Sequence, residues 1–373
     1  MEKRAGGSVK NPYMEDFSHI TLCLRHKVCR YRKGMVMNME KEDGRDITIA
    51  DVADALGVSK TTVSRAISGK GRIGKETRER VLAYIEEHDY KPNAIAKGLA
   101  QSKTYNLCVV MPRDYEVVDW NFFQRCLFGI QETAETVGYD ILLTMCRMND
   151  ISSLERIVDN HKVDGVVLMR TFLEDAQIEF LQQKGISFVV TGSTNYENVI
   201  QIDHNHRSAC RELTSILLMK NLKRIALVGE DEGYVVTQSR LIGFREAYRQ
   251  AGEKLDEELL FLNPENRVRI DKTVNEILER DVDCILCMDD AVASRVLKAL
   301  RQRHVKVPQD VRVASFYDST ILENHVPSIT SLSFDAKELG RVACRMLLDL
   351  VEGLEVSEKT LLPYEVVLKE STK

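Results

Sequence analysis

The 373-residue chain predicts an α + α/β protein. A small helical unit lies near the front, and a large body of two doubly wound sheets follows. Three observations carry that expectation. Apolar residues recur at helical spacing on both sides of a glycine in residues 47–67. From Tyr105 onward the pattern becomes short apolar runs alternating with amphipathic stretches. That alternation lasts to the C-terminus, which is long for one parallel sheet covered on both faces and right for two.

Residues 1–46 show no clean period and mix glycine, charge and isolated apolar residues. They read as a disordered arm, as an upstream extension with translation starting near Met35, Met37 or Met39, or as a basic arm that contacts a polyanion. The periodic sequence begins at Ile47. Ile49, Val52, Ala53 and Leu56 precede Gly57, and Val63, Ala66 and Ile67 follow it. This spacing gives two short helices joined by a glycine turn, the second opening on Ser59. The second helix keeps Lys60, Thr61, Thr62, Ser64 and Arg65 off its apolar stripe. Cations there suit phosphates, and hydroxyls and a guanidinium suit base edges in a DNA groove. A third amphipathic helix, Lys75 to His88, turns Val81, Leu82 and Ile85 inward. The expected boundaries are 47–91 for this helix-turn-helix headpiece and 92–103 for a linker. Within that linker, Asn93–Ala100 is helix-compatible but short and carries Gly98. Helices under about 12–15 residues are marginal in water, so this one should form only when buried by something else.

The run from Ile47 to Ala100 resembles the DNA-binding headpiece and hinge of the LacI/GalR family of bacterial transcription regulators. The motifs that carry the resemblance are Thr-Ile-Ala-Asp-Val-Ala, Gly-Val-Ser-Lys-Thr-Thr-Val-Ser-Arg, Lys-Glu-Thr-Arg-Glu-Arg-Val and Tyr-Lys-Pro-Asn-Ala-Ile-Ala-Lys-Gly-Leu. The resemblance implies that Lys60, Thr61 and Arg65 meet base edges. It places Thr48, Ser59, Thr62, Ser64, Thr77, Tyr90 and Asn93 at phosphate-contacting positions. Ala96 and Leu99 match the minor-groove face of the hinge, where a leucine wedge bends the duplex. It further implies a homodimer on a pseudo-palindromic double-stranded operator. In this family the headpiece usually starts within a few residues of the N-terminus, so the long lead is a departure.

Charge agrees with that division. Residues 1–46 and 47–103 each carry +3 and the remainder −11, for −5 overall. An acidic body is repelled by DNA, so only the front end is suited to it. No segment reaches the about 18–20 uninterrupted apolar residues of a membrane span. Ile20 to Leu24 is too short for a signal-peptide core, so a cytoplasmic location is the default expectation. The nine cysteines show no disulfide-like spacing. Cys284 and Cys287 spell CxxC inside a strand-like run, where positions three apart face opposite ways and cannot share a metal. His204, His206 and Cys210 cluster, but no second pair completes a site; neither a metal nor a cofactor is expected.

Through the body, strands are expected at Asn106–Met111, Tyr139–Met145, Asp164–Met169, Ile186–Thr191, Val199–Ile202, Arg224–Gly229, Asp283–Met288 and Val311–Phe316. Helices are expected at Asn121–Val137, Asp175–Lys184, Asn205–Lys220, Thr237–Ala251, Asp290–Arg303 and Asp335–Val351. The resemblance implies a periplasmic-binding-protein-like core of two Rossmann-like lobes over 104–373. Lobe 1 is expected at about 104–203 and 333–352, and lobe 2 at about 204–332 and 353–373. Thr360–Lys369 is assigned as a last strand of lobe 2. No leucine heptad follows that strand, so no C-terminal tetramer-forming helix is expected.

Ligands of such sheets bind at the carboxyl ends of strands, in the cleft. Tyr115, Trp120, Phe122 and Phe123 follow the first core strand, an aromatic concentration in a chain that is 6% aromatic. Such rings stack on sugar faces. Arg240-Leu-Ile-Gly-Phe244 matches the family's R-x-x-G-F, whose arginine grips effector. Asp290 matches the acidic residue that binds sugar hydroxyls, and Asp289 stands where a small polar residue is usual. Ser315-Phe-Tyr-Asp-Ser replaces the usual Gly-Phe-Asp-Asp-Ser, so Tyr317 takes the place of the effector-binding aspartate. The expected effector site is therefore Tyr115, Trp120, Phe122, Arg240, Asp289, Asp290 and Tyr317. The expected function is an effector-controlled transcription regulator, most often a repressor, responding to a small molecule, most often a sugar. The alternative is a constitutive DNA-binding repressor without a sugar effector. Gly229-Glu-Asp-Glu-Gly233 is no phosphate loop, and no catalytic triad or paired carboxylates stand out, so an enzyme is not expected.

Overall fold

The structure is a computed structural model. It describes residues 47–69, 71–90, 98, 101–113, 120–229, 232–262 and 266–373. The expected N-terminal extension, and Asn93, Ala96 and Leu99 of the expected hinge, lie outside the described residues. The chain divides into two compact units after Asn93.

The front unit is three helices: α1 (Ile49–Leu56), α2 (Lys60–Ser68) and α3 (Lys75–Glu87). Thr48 caps α1 in a capping box with Asp51, and Ser59 caps α2 by accepting from the Thr62 amide. Gly57 ends α1 with φ 65°, a left-handed conformation that glycine adopts without a Cβ penalty. Val52, Ala53, Val63, Ala66, Val81 and Tyr90 form the core of this unit.

The large unit starts with β1 (Asn106–Pro112), α4 (Trp120–Glu135), β2 (Asp140–Cys146), α5 (Ser152–Asp159), β3 (Gly165–Leu168), α6 (Ala176–Lys184), β4 (Ser187–Thr191) and β5 (Ile200–His204). It continues with α7 (His206–Met219), β6 (Ile225–Gly229), α8 (Val235–Ala251), β7 (Leu260–Leu262), α9 (Asn266–Leu278), β8 (Cys284–Cys287), α10 (Asp290–Gln302), β9 (Arg312–Ser315), α11 (Thr320–Glu323) and β10 (Thr330–Ser333). The last elements are α12 (Ala336–Val351), β11 (Lys359–Leu362) and β12 (Glu365–Val367).

Two six-stranded sheets result. One runs β11-β5-β4-β3-β1-β2, all parallel; the other runs β12-β10-β9-β8-β6-β7, parallel except for β12. The eight expected strands are all present. Leu260–Leu262 and Thr330–Ser333 are additional, being too short to show a period. One expectation is corrected. Thr360–Lys369 is not a single strand of the second lobe: β11 pairs with β5 in the first sheet, and β12 pairs with β10 in the second. The chain therefore crosses between lobes a third time after Leu362, not near Gly353. Pro363 lies at that crossing and cannot donate to a ladder.

Each sheet is buried on both faces, as parallel sheets are. Along β1, Leu107, Val109 and Met111 join one core and Cys108 and Val110 the other. Along β8, Cys284 joins one core of the second lobe and Cys287 the opposite one, so those two thiols do lie on opposite faces. The covering helices cross closely at glycines. A Cβ on Gly340 of α12 would stand 2.0 Å from the Cys126 carbonyl oxygen of α4, and one on Gly243 of α8 would stand 2.2 Å from that of Arg207 on α7. No described helix is long and apolar enough to cross a membrane.

Candidate DNA interface and effector cleft

The sequence of α2 builds a two-faced rod. Val63 and Ala66 turn into the core, while Lys60, Thr61, Ser64 and Arg65 are exposed on the opposite side. Thr62 is half-buried, its hydroxyl 2.9 Å from that of Ser59. Gly71 lets the chain pass close to the aliphatic stem of Arg65: a Cβ there would lie 3.3 Å from the Arg65 Cδ. The Thr48 hydroxyl donates to the Asp51 carboxylate at 2.6 Å, so it holds its own helix end as well as lying exposed. Thr77 is half-buried on the first turn of α3. Tyr90 is buried at 8% exposure and packs with the headpiece core, with burial raising its phenol pKa. Its ring thus has a structural task that its expected phosphate-contacting position does not disclose.

In the large unit, the carboxyl ends of both sheets face one cleft, of about 1030 Å³ including the part open to solvent. Of the expected effector residues, Phe122, Arg240, Asp289, Asp290 and Tyr317 line it; Tyr115 and the side chain of Trp120 lie outside the described residues. Arg240, 9% exposed, donates from Nη1 to the Met288 carbonyl at 2.6 Å. Its Nε has no hydrogen-bond partner among the described residues. Asp289 caps α10 by accepting from the Val292 amide at 2.8 Å, which commits one carboxylate oxygen to the helix end.

The departure at Ser315–Asp318 has a structural reason. The Ser315 hydroxyl donates to the Tyr317 carbonyl at 2.7 Å and lies 3.2 Å from the Tyr317 amide, fixing the turn that presents Tyr317. Tyr317 meets Phe122 edge-on at 5.7 Å and stacks on Phe334 at 6.1 Å. Burial pushes its phenol pKa well up, so it enters the cleft as a neutral hydroxyl. Asp318 instead pairs with Lys369 at 3.0 Å and is not a cleft-lining residue.

A mixed wall completes the cleft. The Arg170 guanidinium lies over the Tyr234 ring at 4.4 Å and the Phe123 ring at 5.4 Å, within cation–π range. Phe172 of the first lobe bridges to Tyr234 of the second, and the Leu173 amide donates to the Gly233 carbonyl at 3.1 Å. Asp203 accepts from the Ser193 hydroxyl at 2.9 Å and the His204 amide at 2.8 Å, and lies 3.3 Å from His206 Nε2. Burial pushes its carboxyl up. The His206 ring and these donors outweigh that and hold its pKa below the usual carboxylate range.

Sequence profiles match both parts. Residues 48–93 match bacterial regulatory proteins of the lacI family, and residues 214–372 match a periplasmic binding protein-like domain. The HTH-type transcriptional regulator RegA of Clostridium saccharobutylicum is 27% identical over 335 residues, covering 87% of this chain and 99% of that protein. The chain belongs to the LacI family of transcriptional regulators.

It is a DNA-binding transcriptional regulator, and its relatives are regulators rather than enzymes. Catabolite control protein A of Staphylococcus xylosus is 26% identical over 332 residues, covering 88% of this chain and 99% of that protein. Among solved structures, a complex of the transcriptional regulator CelR with cellobiose aligns with TM-score 0.67 and 28% identity, over 87% of this chain and 99% of that one. The lac repressor dimer bound to operator and the anti-inducer ONPF aligns with TM-score 0.74 over 88% and 99%; at 21% identity that likeness shows the fold.

Several cleft residues of this regulator were not among the expected ones: Arg170, Thr171, Thr191, Asp203, His206 and Thr237. Four of them stand at or just beyond the ends of β3, β4 and β5. The rule that ligands gather at carboxyl ends could have found those from the expected strand ends alone. His206 drew notice in the sequence only as part of a histidine cluster.

Proposed function

We propose that this regulator is a homodimeric repressor that grips a pseudo-palindromic operator through α2 and is controlled by a small hydroxylated ligand, a sugar, in the inter-lobe cleft. The observation that carries the effector reading is Arg240. A buried guanidinium donates to one carbonyl and leaves its Nε without a partner among the described residues, in the wall of an open cleft. Leaving such a donor unmade costs about 1–3 kcal/mol, and a ligand oxygen would remove that cost. Asp290 and Tyr317 bring an acceptor and a hydroxyl beside it, and Phe122 and Tyr234 bring aromatic faces. That combination suits a carbohydrate, whose hydroxyls need paired donors and acceptors and whose ring faces are apolar. The CelR–cellobiose complex supports the same reading by likeness.

Ligand binding in the cleft changes the angle between lobes and thereby the affinity of the headpieces for DNA. The coupling must be reciprocal and is typically ~1–3 kcal/mol. Thermal-shift screening of mono- and disaccharides on the full chain tests the proposal, followed by operator binding with and without the hits. A sugar that raises Tm and changes operator affinity is expected. If no sugar does either, the constitutive alternative stands in its place.

A further inference from the structure

Asp203, His204 and His206 converge where β5 ends and α7 begins. One ligand atom from each lies within 4.8 Å of the others. All three residues are buried, His204 at 2% and His206 at 7% exposure. Neither ring nitrogen of His204 has a hydrogen-bond partner among the described residues, nor does Nδ1 of His206. Three buried imidazole nitrogens are thus left unmatched, which buried polar atoms rarely are. Aromatic packing does not match them. Phe334 lies against both rings, at 4.8 and 4.9 Å, and offers no polar atom.

We propose that Asp203, His204 and His206 bind a divalent transition-metal ion of the zinc or cobalt kind. Two imidazoles and a carboxylate are borderline donors that select such ions over magnesium or calcium. Ligand atoms at about 2.1 Å from a tetrahedral ion stand roughly 3.4 Å apart, so side-chain rotations of about 1 Å close the present triangle. The supporting shell is in place: the Ser193 hydroxyl donates to the other Asp203 oxygen. Asp203 and His206 line the cleft, whereas His204 lies behind them. The fourth coordination position therefore opens toward the ligand space, where water or a ligand oxygen can take it. The sequence left His204 and His206 without a completing partner; the fold supplies Asp203 rather than Cys210.

The test uses the full chain, tag-free and stripped with chelator, titrated with Co²⁺ while its visible d–d absorption is recorded. One saturable equivalent per chain is expected, displaced by Zn²⁺. The band should vanish in His204→Gln and weaken at least tenfold in Asp203→Asn, with far-UV circular dichroism unchanged. If His204→Gln does not fold, His206→Asn takes its place. Absence of one-to-one binding to the unmodified chain overturns the proposal. So does binding that survives in the folded histidine variant, which would place the ion at other residues.

Discussion

Gly243→Ala is the most discriminating single substitution. The added Cβ would stand 2.2 Å from the Arg207 carbonyl oxygen, 3.1 Å from its carbon and 3.1 Å from the Arg211 amide nitrogen. All three are backbone atoms of α7, so no side chain can swing aside. Ordinary contact begins at 3.4 Å, so the two helices must part by about 1 Å in a close-packed interior. Overpacking of this kind costs about 1–3 kcal/mol. Replacing a mid-helix glycine by alanine returns about 0.5–1 kcal/mol through helix propensity. The net expectation is a loss of about 1–2 kcal/mol, or about 2–3 °C in Tm for a unit of this size. Urea unfolding followed by far-UV circular dichroism measures it. Parting these helices also moves Thr237 and Arg240 relative to His206, so affinity for the proposed cleft ligand should fall with stability. A variant as stable as the parent, or more so, would show that propensity wins and that the close crossing does not constrain the lobe.

If Arg65 reads a base as proposed, Arg65→Ala should lose about 1–3 kcal/mol of discrimination, measured as operator against random-DNA affinity at fixed salt. Equal weakening on both DNAs would contradict base reading. Thr48→Ala removes the capping box with Asp51 and should destabilise the headpiece by about 1 kcal/mol, seen in amide exchange of α1; unchanged exchange would refute the cap's role. Glu246 accepts from Arg207 and lies near Arg211 and Arg249. Hydrogen bonding from Arg207 leads the causes that hold its carboxyl below the usual range. Its contribution is therefore present above the ordinary glutamate pKa and lost as pH falls through the lowered folded value. Glu246→Gln should lower Tm at pH 7, with the gap to the parent closing in acid; a gap independent of pH would sink that assignment.

The local elements were legible because they are local. Ser59, the apolar stripe and Gly57 specify a helix, a turn and a helix by spacing and capping alone, and the strongly apolar runs specify eight strands that need both faces covered. Arg240 and Tyr317 were found because motif matches mark positions that the fold later brings to one wall. What the sequence could not determine were facts about pairing and approach. Four-residue β10 and β11 carry too few residues to show a period, and only the sheet edges available to them decide that β11 joins β5 while β12 joins β10. Tyr90 has an aromatic ring and a hydroxyl; burial among Val52, Val63 and Val81 selects the ring for its structural role. His204 and His206 carry the same chemistry in any conformation, but only the turn from β5 into α7 brings both rings against the Asp203 carboxylate. Side-chain type is written residue by residue, whereas desolvation and proximity arise only when distant segments pack.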